Sequence, residues 1–219
     1  MAIKLYFAPG ACSFVPHTLL ETIGEPYEPV LVKLHKNEQQ APEYKALNPR
    51  GQVPVLVDGG EVLTQIVAIV SYLNDRFPQH NFLPREALAR ARVLETLAWM
   101  NNTAHPTFTH VFMPYKFAGT LEGQAEIKAF NAALYRPMLG EIEAMAQAAQ
   151  GKGQPYLGGP HFGPLDAYAL TLLRWGGMAG IDPTGFGALW SHSQRVALLP
   201  AVARVIERER LQLNVHKPA

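Results

Sequence analysis

One cysteine in 219 residues excludes an internal disulfide framework and fits a reducing compartment. Net charge is nearly absent, +1 from 19 basic and 18 acidic residues. The basic residues are scattered rather than clustered, so neither a nucleic acid nor any other polyphosphate is an expected partner. Charged residues make up 17%, too few for a disordered or coiled-coil chain, whereas 48% hydrophobic is ample for a packed core. No apolar run approaches the about 20 residues that cross a bilayer. Lys4 and Pro9 interrupt any signal-peptide core at the start, so no membrane association and a cytoplasmic address are expected. His17, His105 and His110 show no ligand spacing with carboxylates or thiols, which leaves no expected metal, and no nucleophile-elbow string supports a serine triad.

What is present falls into two grammars. Up to about residue 76, strand-like runs alternate with helical ones. Residues 3–7 form a short apolar run, and Val15, Leu19 and Ile23 then recur at helical spacing before a stop at Gly24. Pro16 is tolerable because it falls in the first helical turn. Residues 27–34 read as a second strand, with Pro29 pointing to a sheet edge. Residues 36–42 read as a loop or short helix. Val53 to Val57, Asp58-Gly59-Gly60 and Glu61 to Leu63 form a hairpin signature, after which Thr64 is placed to cap a helix over residues 65–76. The order strand, helix, strand, strand, strand, helix is compatible with a small thioredoxin-like α/β unit. The second half carries no convincing strand. Helices are predicted from residue 85 to 104, 122 to 150, 165 to 175 and 200 to 209, the third being apolar enough to be central.

Cys12 sits where the first strand passes into the first helix, in Leu5-Tyr6-Phe7-Ala8-Pro9-Gly10-Ala11-Cys12-Ser13. The first amides of a helix lack internal partners and carry positive partial charge, which favours a thiolate and lowers a cysteine pKa. An unpaired cysteine is also among the most buried residue types, so a small core residue is the alternative.

Four strings occur together in order: Tyr6 to Ser13, Asn48-Pro49-Arg50-Gly51-Gln52-Val53-Pro54, Leu63-Thr64-Gln65-Ile66, and Ala68-Ile69-Val70-Ser71-Tyr72-Leu73. With Asp166-Ala167-Tyr168 in the second half, the chain resembles a bacterial glutathione S-transferase of the beta type, which carries an active-site cysteine. The resemblance implies an N-terminal thioredoxin-like α/β domain over residues 1–77, a linker over 78–84 and an all-α helical bundle over 85–219. It implies a cis bond at Val53-Pro54, whose flanking main chain pairs with glutathione like an added strand. Tyr6, Gln52, Val53, Pro54, Gln65 and Ile66 would then line the glutathione, with Cys12, Ser13 and His105 as the catalytic set. Ser13 could donate to a bound sulfur or cap the first helix. Tyr6 reads more naturally as a packed aromatic than as a catalyst. His105, ahead of Pro106, could bond the thiolate or shuttle a proton near neutral pH, against a default of an ordinary helix-end residue.

Two departures from the family stand out. Gln65 and Ile66 replace an acidic residue followed by Ser or Gly, so the ligand's ammonium loses an ion pair. The Ile66 amide still lies at a helix N-terminus suited to a carboxylate. Asn37 falls where a lysine is expected, with His35 and Lys36 close by. Phe108 and Phe112 are the candidates for a hydrophobic pocket taking the second substrate. Asp166 should act structurally, reaching back to the amide of Gly163 ahead of Pro164. The implied function is glutathione transfer to small electrophiles, in the sense of detoxification, by a homodimer that uses glutathione as co-substrate. Two further options stay open: mixed-disulfide chemistry at Cys12, acting as a thiol transferase or disulfide reductase, and a non-catalytic binding or regulatory protein with a weakened glutathione site.

Overall fold

The computed structural model describes residues 3–217. Four strands form one mixed sheet in the order β2-β1-β3-β4, with β1 Ile3–Phe7, β2 Tyr27–Leu31, β3 Val55–Asp58 and β4 Glu61–Thr64. β1 runs parallel to β2, Ile3 lying opposite Tyr27, and antiparallel to β3, which pairs antiparallel with β4. Helix α1 (Phe14–Ile23) makes the crossover from β1 to β2, as a parallel pair requires. Ile3, Leu5 and Phe7 alternate onto one face of the sheet, where they meet Leu19 of α1 and Ile69 and Leu73 of α3 (Ile66–Arg76). The other face carries a smaller cluster of Val32, Val55 and Tyr44, with Tyr6 packed against it and Tyr44 supplied by α2 (Pro42–Leu47).

The predicted turns are where the backbone needs them. Gly24 ends α1 in the left-handed region, φ 76°, and its amide bonds Leu20. Gly59 and Gly60 both have positive φ and close the β3–β4 hairpin. The Val53-Pro54 bond is cis, as the resemblance implied. Thr64 does not cap the following helix: it is the last residue of β4, and Gln65 occupies the cap position with φ 71° and no side-chain bond.

The remainder is helical: α4 Ala87–Trp99, α5 His105–Phe112, α6 Leu121–Gly151, α7 Pro164–Met178, α8 Gly187–Ala197 and α9 Pro200–Glu209. The carboxylate of Glu86 accepts the Leu88 and Ala89 amides and starts α4. Between α4 and α5 the helix widens into a π turn, Met100–Ala104, in which the His105 amide reaches back to the Met100 carbonyl. Pro106 explains the widening, because it has no N–H and its ring crowds the carbonyl four residues before it. His105 is therefore inside a continuous helical run and is not the helix-end residue that a histidine before proline suggests. Helix α8 has no cap signal in the sequence, where no helix was expected. None of the helices among the described residues is long and apolar enough to cross a membrane.

α7 is buried nearly all round and is the axis of the helical half. Tyr135 of α6 donates its hydroxyl to the Leu172 carbonyl at 2.8 Å inside the core. Asp166 takes the expected structural place, accepting the Gly163 amide at 2.9 Å and the Leu157 amide at 2.8 Å with its side chain fully buried. His192 Nε2 lies 3.0 Å from the same carboxylate but off the line that a hydrogen bond needs. Asp166→Ala is expected to leave two buried amides unpaired and to cost about 3 kcal/mol, read by urea denaturation. A cost under about 1 kcal/mol would mean the carboxylate is not holding this turn.

Candidate active site

The register of the hairpin gathers the candidate residues. Tyr6 pairs with Val55 and Val55 with Thr64, so the end of β1, the Val53-Pro54 entry to β3 and the Gln65 exit from β4 share one end of the sheet. The β1–α1 loop that carries Cys12 leaves from the same end.

That loop is held from the helical half. The Gly10 amide donates to Glu209 Oε2 at 2.8 Å, and the indole N–H of Trp175 donates to the Gly10 carbonyl at 2.8 Å. Gly10 has φ 68°, a left-handed conformation that favours glycine, and the Arg174 guanidinium lies over the space a Cβ would take. Glu209 is itself buried and bonds His17 Nδ1 at 2.7 Å, while Arg208 donates to the other ring nitrogen at 3.1 Å. With Nε2 used as an acceptor, His17 carries its proton on Nδ1 and gives it to Glu209. Ser13 closes the loop on itself, its hydroxyl accepting the Ala8 amide at 3.1 Å and donating to the Ala8 carbonyl at 3.2 Å. It neither caps α1 nor reaches open space, which corrects both roles expected of it.

Cys12 is buried, and its thiol donates to the Val53 carbonyl at 3.6 Å. Burial pushes its pKa up to about 12; the Cys12 and Ser13 amides act in the opposite direction and lose. Burial thus works against the expected helix-end thiolate. Cys12 is a neutral thiol and a hydrogen-bond donor.

His105 comes from α5. Its Nδ1 lies 2.8 Å from the Tyr168 hydroxyl, and its ring stands edge-on to Trp175 with centroids 4.8 Å apart. Trp175 therefore touches His105 with its ring and the Cys12 loop with its N–H. Burial lowers the His105 pKa to about 4, so the imidazole is neutral at pH 7 and does not titrate near neutrality as expected.

The main chain before the cis bond is fixed by two bonds to the Gln52 carbonyl, from the Tyr44 hydroxyl and the Asn48 amide, both 2.8 Å. Tyr6 packs edge-on against Tyr44 at 5.8 Å. Gln65 is exposed, whereas the Ile66 side chain is buried and its amide opens α3. His35, Lys36 and Asn37 lie exposed in a short turn after β2. The two aromatics part company. Phe108 is core, stacked on Trp175 at 4.7 Å and beside Tyr135. Phe112 is 55% exposed and stacks on Phe108 from outside. A cavity of about 270 Å³ lies elsewhere, among Phe82, Pro84, His161 and Pro164, and none of these candidates lines it. Among the described residues no cluster of three or more His, Cys, Asp or Glu could hold a metal.

Sequence reasoning missed Trp175 and Glu209, and it saw Tyr168 as part of a motif without a role. No local signal marks a contact spanning 199 residues, such as Glu209 to Gly10.

Comparisons with known proteins agree with the geometry. The sequence profile of the glutathione S-transferase N-terminal domain matches residues 1–75. The chain is 32% identical to a glutathione S-transferase of Escherichia coli over 96% of its own length and all of the relative's, and 32% identical to one of Xanthomonas campestris over 95% and all. Its fold superposes on a sphingomonad glutathione S-transferase complexed with glutathione with a TM-score of 0.80 at 31% identity, covering 95% of this chain and all of the other. A bacterial beta-class enzyme of Sphingomonas chungbukensis gives 0.81 at 28% identity, with the same coverage.

A buried, neutral thiol should react slowly. Iodoacetamide alkylation of Cys12 at pH 7 is expected to be at least about tenfold slower than that of free cysteine and to rise with pH. Glu209→Gln, which turns an amide donor towards the Gly10 N–H or the His17 N–H, should loosen the loop and speed the reaction. Alkylation at the free-cysteine rate in the unaltered chain would overturn the burial argument.

Proposed function

Because the chain belongs to the glutathione S-transferase family, we propose that it holds glutathione extended along Val53 and joins its sulfur to a small electrophile. The carrying observation is the common end of the sheet shared by the Cys12 loop, Val53-Pro54 and Gln65, with Trp175 tying His105 to the same loop. In this reading the ligand's cysteinyl backbone pairs with Val53 N–H and C=O, and its γ-glutamyl carboxylate takes the Ile66 amide at the start of α3. Tyr6 and the Gln52 segment support that edge, and Gln65 offers hydrogen bonds in place of an ion pair. The missing charge lowers affinity by about 1.5–3 kcal/mol relative to an acidic residue at this position.

The state of Cys12 decides between the chemistries. A neutral thiol attacks disulfides poorly, so burial argues against disulfide exchange through Cys12 as the main activity. As a donor it suits another task. Its 3.6 Å bond to Val53 is long and easily exchanged for one to the ligand's sulfur. Sulfur attack forms the C–S bond, the leaving group departs with the electron pair of its own bond, and the thiol proton passes to a base. A donor aimed at the sulfur stabilises the charge that develops there. Ser13 acts through the Ala8 main chain as a positioning residue, and Phe112 rather than Phe108 meets the electrophile. Exposed Phe130 and Leu134 on α6 support assembly as a homodimer. The division into units at residues 77 and 85 belongs to the same reading.

Paired assays test this on the unaltered chain and Cys12→Ala, with glutathione conjugation to an aryl halide as one readout and reduction of a small mixed disulfide as the other. Conjugation is expected in the unaltered chain and to fall about tenfold in the variant, the loss of one hydrogen bond to a developing charge. Disulfide reduction should be weak in both. A chain that binds immobilised glutathione but conjugates nothing would instead support a binding or regulatory role.

A further inference from the structure

Tyr168 lies inside the core with its hydroxyl between two polar neighbours, His105 Nδ1 at 2.8 Å and Asn101 Oδ1 at 3.2 Å. A phenol has one proton to give. In the structure the Asn101 amide donates to Asn102 Oδ1 at 2.8 Å, and the Asn101 oxygen is the atom that faces Tyr168. We propose that the Asn101–Tyr168 pair holds His105 as the tautomer protonated on Nδ1, leaving a bare Nε2 on the opposite edge of the ring, and that Tyr168 is thereby a positioning residue for the transferase reaction.

Counting bonds separates the two arrangements. If the hydroxyl donates to Asn101, its oxygen remains free to accept Nδ1–H, and both contacts are hydrogen bonds. If it donates to Nδ1, the Tyr168 and Asn101 oxygens face each other at 3.2 Å as two acceptors. Tyr168 is fully buried, so water does not relieve that clash at the phenol. The π turn is what makes the arrangement possible, because it carries both Asn101 and the backbone bond that fixes His105 on the same widened stretch of helix. Burial keeps the imidazole neutral, so it has a single ring proton to place.

The consequence rests on the proposed function and adds to it that the far edge of His105 faces the glutathione sulfur. A neutral thiol there accepts from Cys12 and donates to Nε2, one donor and one acceptor for a group that offers one of each. As the C–S bond forms, the S–H proton passes to Nε2 and the leaving group takes its own electron pair. The resulting imidazolium still donates Nδ1–H to Tyr168 and then returns the extra proton to water. The other tautomer would present Nε2–H and could not take the proton.

Long-range proton–nitrogen NMR correlation on the unaltered chain tests this without any substitution, the His105 signals being those absent from His105→Gln. A protonated Nδ1 and a bare Nε2 are expected, and the reverse pattern overturns the inference. In Asn101→Ala the hydroxyl proton loses its first acceptor and should turn to Nδ1, switching the tautomer to Nε2–H. Tyr168→Phe removes the acceptor for Nδ1–H and should shift it the same way. In both variants kcat for aryl halide conjugation is expected to fall about tenfold, with KM for glutathione within about twofold. If His105→Gln leaves kcat untouched, His105 is not part of the site and the reading beneath this inference falls, taking the positioning role with it. If His105→Gln loses kcat while Asn101→Ala and Tyr168→Phe keep both tautomer and kcat, the inference falls alone.

Discussion

The peptide of Gly10 is gripped on both sides by the helical half, its N–H by the Glu209 carboxylate and its C=O by the Trp175 indole. Everything proposed for Cys12 depends on this grip. A loop leaving the end of a strand is free to move unless its backbone groups find partners, and here both partners are buried side chains from α7 and α9. Each bond, if left unmade in the interior, would cost about 1–3 kcal/mol. The loop is therefore as rigid as the junction between the two halves of the molecule. Phe14, Leu170, Val196, Val202 and Val205 pack that junction from α1, α7, α8 and α9, so the site and the junction are held by the same helices.

A second consequence concerns charge. The helix-end argument for a reactive thiolate is sound in isolation, since the first amides of α1 do favour the anion. It loses because Cys12 is buried, and removing an anion from water outweighs a few amide dipoles. The same burial acts on His105 with the opposite sign, holding the imidazole neutral. Both ionisable groups proposed for the reaction are thus uncharged before the substrate arrives. Hydrogen bonds from neutral groups stabilise charge as it develops without stabilising a resting ion, which is the arrangement that favours a transition state over the ground state.

Much of the fold was legible because its signals are local. Gly24 stops α1, the Asp58-Gly59-Gly60 turn closes the hairpin, and Pro200 opens α9, each through backbone geometry that a few residues determine. The cis bond and the structural place of Asp166 came through resemblance and were met. What was not legible depends on distance in the chain. Thr64 looks like a cap, yet pairing with Val55 keeps it in the strand, and Gln65 takes the turn at positive φ. Ser13 looks like a cap or a ligand donor, but the fold of the preceding loop brings Ala8 within reach first. Phe108 and Phe112 share one helical stripe, and only the packing of Trp175 and Tyr135 decides which of them is core.

Pro106 shows how a local irregularity becomes a feature of the site. A proline within a helix forfeits one backbone hydrogen bond and commonly ends or kinks the run. Here the chain absorbs it by widening one turn, so that α4 and α5 stay connected and the His105 amide is satisfied by Met100. The widened turn brings Asn101 to Tyr168 and leaves His105 bonded to the same hydroxyl from the next turn. Asn101 and His105 thus share one continuous helical run. The proline that makes His105 look like a terminal residue in the sequence is thus the physical reason it is held within a helix, against Trp175, in contact with the side chain that grips the Cys12 loop.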